Sequence, residues 1–343
     1  MFLYLHENKE MKHLSILVPD EQTTMSTIAC IVGAYQVFSE ANTYIEQRGK
    51  KATFKIELVG AKKKDLLSNG ILTVQHHISI DEVGKTNLII IPASLVRSYE
   101  KSTKNNKLLI EWIKNEYKQG AEVASMCAGG FMLASTGILD GKTCSTHWAL
   151  SENFRELYPN VNLQTDKLIT DESGIYTNGG AYSFLHLLIY LVEKFYDRQT
   201  AVHCAKYFQI DLDRNLQAEF SIFSGHKKHN DDIILKAQKF IEEKYQDKIS
   251  IEKLSANLAV GRRNFDRRFI KSTGLSPLDY LQRVRIEVAK KLFENSRKTV
   301  NEVMYDVGYN DTKAFREVFS RVTGLSPIDY KSKYNKVSKL SIV

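Results

Sequence analysis

Two sets of residues in this 343-residue chain carry side chains and spacings that suit chemistry. The first is a thiol. In A-E-V-A-S-M-C-A-G-G-F-M-L-A, Cys127 stands where an apolar strand turns sharply into a helix, and Ala128, Gly129 and Gly130 leave room around it. That is the pattern of a nucleophile elbow, in which backbone N–H groups at a helix start can lower a thiol pKa. His147 follows in T-H-W, where it can pair with the thiol or be a satisfied core histidine. A lone cysteine is more often a small buried hydrophobe. The elbow therefore predicts a ligand pocket or retained packing ahead of turnover. The second set is cationic. Arg262, Arg263, Asn264, Arg267, Arg268 and Lys271 lie on the outward side of a helix whose inward stripe is Phe265, Phe269 and Ile270. Arginine forks suit guanine edges and phosphates, and asparagine pairs with adenine. Double-stranded DNA is the expected partner.

The helix carrying these arginines occurs twice. F-D-R-R-F-I-K-S-T-G-L-S-P-L-D-Y at residues 265–280 returns as F-R-E-V-F-S-R-V-T-G-L-S-P-I-D-Y at residues 315–330. Each copy reads as a helix-turn-helix. In the first, Ser250 caps a helix over 251–258, a turn follows at 259–261, and the outward arginines sit on 262–272. In the second, Thr299 caps 300–306, the turn is 307–310, and Asp311 begins the helix 311–321. Thr312, Lys313, Arg316 and Arg321 are its outward candidates. Glu317 stands where the first copy has Arg267, so the second head is less basic and is expected mainly to position the backbone. Its turn has one extra residue. A helix over 277–294 joins the heads and is expected to hold them rigid.

Charge separates this part from the rest. Residues 231–343 hold 23 Lys and Arg against 15 Asp and Glu, whereas residues 1–230 hold 25 of each. A polyanion is thus expected to meet the last part only. The four cysteines form no CxxC pair, which argues against a zinc ribbon or a disulfide framework. No metal or cofactor is expected. The first ten residues lack a basic start followed by an apolar core, and residues 183–192 are too short to span a bilayer. No membrane partner and a cytoplasmic location are expected.

The elements that must position Cys127 alternate. Strands are read at 13–19, 52–59, 87–92 and 122–126, with an extra hairpin within 72–80. Helices are read at 24–41, carrying Ile28, Ile31, Val32, Tyr35 and Phe38, and at 107–118 with Leu108, Leu109 and Trp112 inward. A further helix starts in 130–135. A glycine-rich approach at 176–181 leads to a helix over 182–197, and another helix starts near Thr200. The expected fold class is α/β, an open and mainly parallel sheet flanked by helices, followed by an all-α domain with two helix-turn-helix units. Polar, aperiodic residues 211–230 read as a linker between domains at 1–210 and 231–343.

Over roughly residues 12–195 the chain resembles the DJ-1/PfpI-like, class I glutamine-amidotransferase-like fold, best at C-A-G-G-F-M-L-A-S-T-G-I-L-D-G-K and T-H-W. Many members act through a cysteine, a histidine and an acidic residue on the first helix. Here Cys30 stands near that acidic position, and Pro92-Ala93-Ser94 replaces the usual glycine-rich turn. The resemblance therefore implies a non-catalytic sensor, with Cys127, Ala128, Gly129 and His147 as ligand-binding candidates and Cys30 as a vestige. Over roughly 231–334 the chain resembles the AraC/XylS regulators, most closely at V-G-Y-N-D-T-K-A-F-R-E-V-F-S-R-V-T-G-L-S-P-I-D-Y-K. The two together resemble GlxA-like regulators. That resemblance implies a sequence-specific transcription regulator, responsive to an unknown small-molecule effector, homodimeric, more often an activator, and so a partner of RNA polymerase. The rival reading is a cysteine-dependent hydrolase or deglycase-like enzyme fused to a DNA-binding domain.

Overall fold

The computed structural model describes residues 11–19, 24–61, 64–67, 72–75, 78–94, 104–212, 214 and 216–335. The N-terminal reading at 1–10 and the last residues of the second domain, 336–343, lie outside the described residues, as do 76–77 of the expected hairpin stretch and 213 and 215 of the linker. The chain divides into two units, Met1–Gln217 and Ala218–Val343. The division falls inside the stretch read as a linker.

Among the described residues the first unit has eleven strands: β1 (Lys12–Leu17), β2 (Phe54–Gly60), β3 (Lys64–Leu67), β4 (Leu72–Gln75), β5 (Ile78–Ser79), β6 (Leu88–Ile91), β7 (Glu122–Met126), β8 (Thr143–Cys144), β9 (Asn162–Leu163), β10 (Ile169–Glu172) and β11 (Ile175–Asn178). Seven of them form one sheet in the order β10-β11-β7-β6-β1-β2-β5. All its pairings are parallel except β10 with β11. The antiparallel pair β3–β4 is a separate hairpin, so the stretch 72–80 supplies only half of it, with β5 joining the main sheet. Alternation assigns the two faces. In β6, Leu88 and Ile90 face one core while Ile89 and Ile91 face the other. A strand covered on both sides reads as an unbroken apolar run, which is why L-I-I-I was legible.

Helices α1 (Met25–Gln47), α5 (Phe184–Phe195) and α6 (Arg198–Tyr207) cover the first face. On the other lie α2 (Lys104–Lys118), α3 (Gly129–Ser135) and α4 (Ser151–Leu157). Thr24 caps α1, and the helix runs past residue 41 because Ile45 still reaches the core. Three sequence expectations are corrected. Val32 and Tyr35 point outward, as does Leu108, whose place in the core goes to Ile110 and Ile113. Residues 176–178, read as an approach to a helix, belong to β11, an interior strand of the sheet between the edge strand β10 and β7.

The second unit is helical: α7 (Asp232–Glu243), α8 (Ile251–Asn257), α9 (Arg262–Thr273), α10 (Pro277–Asn295), α11 (Val300–Asp306), α12 (Thr312–Thr323) and α13 (Pro327–Tyr334). The sequence repeat is a structural repeat. Phe265 and Phe269 lie 5.7 Å apart, and Phe315 and Phe319 lie 5.8 Å apart. Edge-on contacts continue from Phe269 to Tyr280 at 5.3 Å and from Phe319 to Tyr330 at 5.5 Å. Gly274 and Gly324 end the arginine-bearing helices in the left-handed conformation that glycine adopts without strain. Ser276-Pro277 and Ser326-Pro327 then restart a helix with a serine cap and proline in its first turn. Ile270 departs from the expectation: it is 49% exposed, and Thr273 completes the buried stripe instead. Helix α10 feeds both cores, with Tyr280, Leu281 and Val284 in the first and Ile286, Ala289 and Phe293 in the second. One continuous helix therefore fixes the two heads to each other.

Candidate functional site

The elbow around Cys127 is built as its sequence suggests. Cys127 has φ 52°, a left-handed conformation for a non-glycine residue and a sign of local strain at the strand-to-helix turn. Close approach explains Gly129: a Cβ there would lie 2.6 Å from the Pro92 carbonyl oxygen and 2.8 Å from that of Ile91. The Cys127 N–H donates to Asn178 O at 3.2 Å and to Asn178 Oδ1 at 3.1 Å. The Thr146 hydroxyl donates to Cys127 O at 3.0 Å. Asn178 and Thr146 thus grip the elbow from β11 and from the loop after β8. Both escaped the sequence reading, because a buried polar residue held by backbone groups leaves no apolar pattern.

The expected partners are placed differently. His147 accepts the Ala149 N–H on Nδ1 at 3.1 Å and lies against the Trp148 ring, and no hydrogen bond joins it to Cys127 among the described residues. Burial lowers its pKa. Cys30 is buried beside the elbow, and burial pushes its thiol up to about 12, with the nearby Cys127 adding to the rise. Ala128 and Gly129 are buried as well. Contrary to the expected lowering at an elbow, burial pushes the Cys127 thiol up to about 11, above its ordinary 9.0. Burial outweighs the backbone N–H of Ala128. At pH 8 the thiolate is then on the order of one molecule in a thousand. Iodoacetamide is expected to label none of the four buried cysteines of the native chain rapidly near neutral pH, and all four after denaturation. Fast native labelling of Cys127, followed by peptide mass analysis, would overturn this account.

The basic helices sort into engaged and disengaged charges. Arg268 holds Asp231, the cap of α7, through Nε at 2.8 Å and Nη2 at 2.7 Å. Arg262 is shared between Asp266, at 2.9 Å, and Glu252. Arg267 donates to Asn264 Oδ1 at 2.9 Å, a bond within α9 that leaves its charge unopposed. On α12, Arg321 reaches Gln282 and, at 3.4 Å, Asp279, while Lys313 lies 4.0 Å from Glu317. Thr312 is half-buried in the first turn of α12. Among the described residues Arg263, Lys271 and Arg316 have no carboxylate partner, and all three are exposed. On α9, Arg263, Arg267 and Lys271 share the side opposite Phe265 and Phe269, so that side presents the cations to a polyanion. The turn between α11 and α12 has five residues against four between α8 and α9, as the sequence indicated.

Two family models match separate parts of the chain. A DJ-1/PfpI family model matches residues 28–194, and a helix-turn-helix domain model matches residues 254–333. The first domain is a DJ-1/PfpI-like α/β domain, and the second is a mostly helical domain with a helix-turn-helix motif. The chain is 24% identical over 221 residues to the HTH-type transcriptional regulator GbdR of Pseudomonas aeruginosa, covering 64% of this chain and 60% of that protein. It is 21% identical over 264 residues to CdhR of the same organism, 76% of each chain. Against GlxA of Rhizobium meliloti the identity is 23% over 215 residues, 61% of this chain and 64% of the relative. The match to GbdR thus spans about three fifths of that protein's length. Among the described residues no helix is long and apolar enough to cross a membrane, and no group of three or more His, Cys, Asp or Glu could hold a metal ion.

Proposed function

We propose that this chain is a sequence-specific DNA-binding transcription regulator whose DJ-1/PfpI-like domain is a non-catalytic, ligand-responsive part. The observation that carries the reading is the pair of helix-turn-helix units built on one shared helix, α10, with unopposed cations on the outward side of α9. Nineteen residues of continuous α-helix hold the two heads on one element, and the resemblance to AraC/XylS regulators implies that they enter successive major grooves on one face. The relatives matched over 215 to 264 residues are named as transcriptional regulators, which supports the same output here. Activation, and with it contact to RNA polymerase, follows the resemblance of the domain order, as does a homodimer. The non-catalytic reading draws support from a buried thiol with a raised pKa and from a histidine turned to Ala149.

Genome-wide mapping of bound sites, with and without a metabolite panel, tests the proposal. The expected result is a recurring motif of two parts about one helical turn apart, with occupancy that changes with at least one metabolite. Binding without sequence preference, at a steep salt dependence, would instead mark a general DNA binder.

A further inference from the structure

The last residue of the first unit fills a seat beside the elbow. Gln217 is 1% exposed, and its Nε2 faces three acceptors: Ser145 Oγ at 3.2 Å, Thr146 O at 3.1 Å and Lys167 O at 3.2 Å. Ser145 gives its own proton to Lys167 O at 2.7 Å, so it can only accept from Gln217. The seat therefore offers acceptors alone. A carboxamide suits it poorly. Its two N–H groups face three acceptors, and Gln217 Oε1 is buried with no hydrogen-bond partner among the described residues. A primary ammonium carries donors alone, so it can serve the same acceptors and leaves no oxygen of its own unpaired. The seat touches both grips on the elbow. Thr146 also holds Cys127 O, and Gly179, which follows the Asn178 that holds Cys127 N, lies so close that a Cβ on it would be 2.0 Å from Gln217 Nε2.

We propose that this seat is a binding site for small molecules bearing a protonated primary amine, and that such a molecule enters by displacing Gln217. Gln217 arrives there on a backbone held by Asp166 O at 3.2 Å and by the bridge between Lys167 and Leu216. Its departure frees the residues through which the chain leaves the first unit, which makes the seat a means of passing ligand occupancy to the linker. The inference rests on the reading of the first domain as ligand-responsive. Its readouts use no DNA, so its failure and the failure of DNA recognition are distinguishable.

The test uses the full chain and ethylammonium chloride, acetamide and sodium acetate at matched ionic strength. Gln217→Ala opens space for the probe, and ethylammonium is expected to raise the thermal midpoint of that variant more than acetamide does, with no rise from acetate. Gly179→Ala obstructs the seat, so ethylammonium is expected to leave its midpoint unchanged. Equal effects of the three probes on Gln217→Ala, or an equal shift in Gly179→Ala, would overturn the proposal. A second measurement requires no variant. Ethylammonium is expected to speed tryptic cleavage of the native chain after Arg214 several-fold, acetate is expected to leave it unchanged, and an unchanged rate with ethylammonium would also count against the seat.

Discussion

Phe319→Ala is expected to destabilise the second unit by about 3–5 kcal/mol and, with it, to abolish DNA binding. Phe319 is fully buried, with Phe315 at 5.8 Å, Phe293 at 5.6 Å and Tyr330 at 5.5 Å around its ring. Truncation removes the transfer free energy of the ring and leaves a cavity among three aromatic neighbours that cannot collapse without moving α10, α12 and α13. Because α10 also carries Tyr280, Leu281 and Val284 of the other core, the loss should reach the first head. Urea denaturation of the full chain, followed by hydrogen exchange resolved on the second unit, measures both effects. Protection is expected to fall first in α11–α13 and then in α9. A cost under about 1 kcal/mol, or full retention of protection in α12, would contradict a tightly packed shared core.

The helical domain was legible because its helix caps, turns and aromatic repeat agree with the fold. The repeated Thr-Gly-Leu-Ser-Pro marks a helix end, a left-handed glycine, a capping serine and a proline in the next first turn, each with a local physical cause. The apolar strands of the first domain were legible for the same reason. What stayed hidden depends on partners distant in sequence. β11 is an interior strand but reads I-Y-T-N, since Thr177 is satisfied by Thr170 and the Ser145 N–H, and Asn178 by Cys127. Gln217 sits in a segment that looks like plain linker, and only the fold brings it to Thr146. A sequence count of arginines also overstates the cationic side, because Asp231 lies 37 residues from Arg268 and Glu252 ten from Arg262. Conversely, Leu108, Ile270, Val32 and Tyr35 are apolar residues that periodicity alone turned inward and the structure turns out.

That sorting of charges sets the other large effect. The double variant Arg263→Ala, Arg267→Ala is expected to lower affinity for a mapped site by about 2–6 kcal/mol if both forks read base edges, at about 1–3 kcal/mol each, while leaving thermal stability close to that of the parent. Both side chains are exposed on α9, and among the described residues no carboxylate opposes either. Arg268→Ala should behave in the opposite way. Its bidentate hold on Asp231 caps and anchors α7, so its loss is expected to show first as a lower midpoint, with affinity falling only as the unit unfolds. Titration against specific and random duplexes at several salt concentrations separates the two roles of the exposed pair. A base-reading arginine loses specific affinity far more than nonspecific affinity. One that neutralises a phosphate weakens both alike and lowers the salt slope by about 0.9 per contact. Retained specific affinity in the double variant, combined with loss in Arg268→Ala at unchanged stability, would move the interface off the outward side of α9 and onto the side that faces α7.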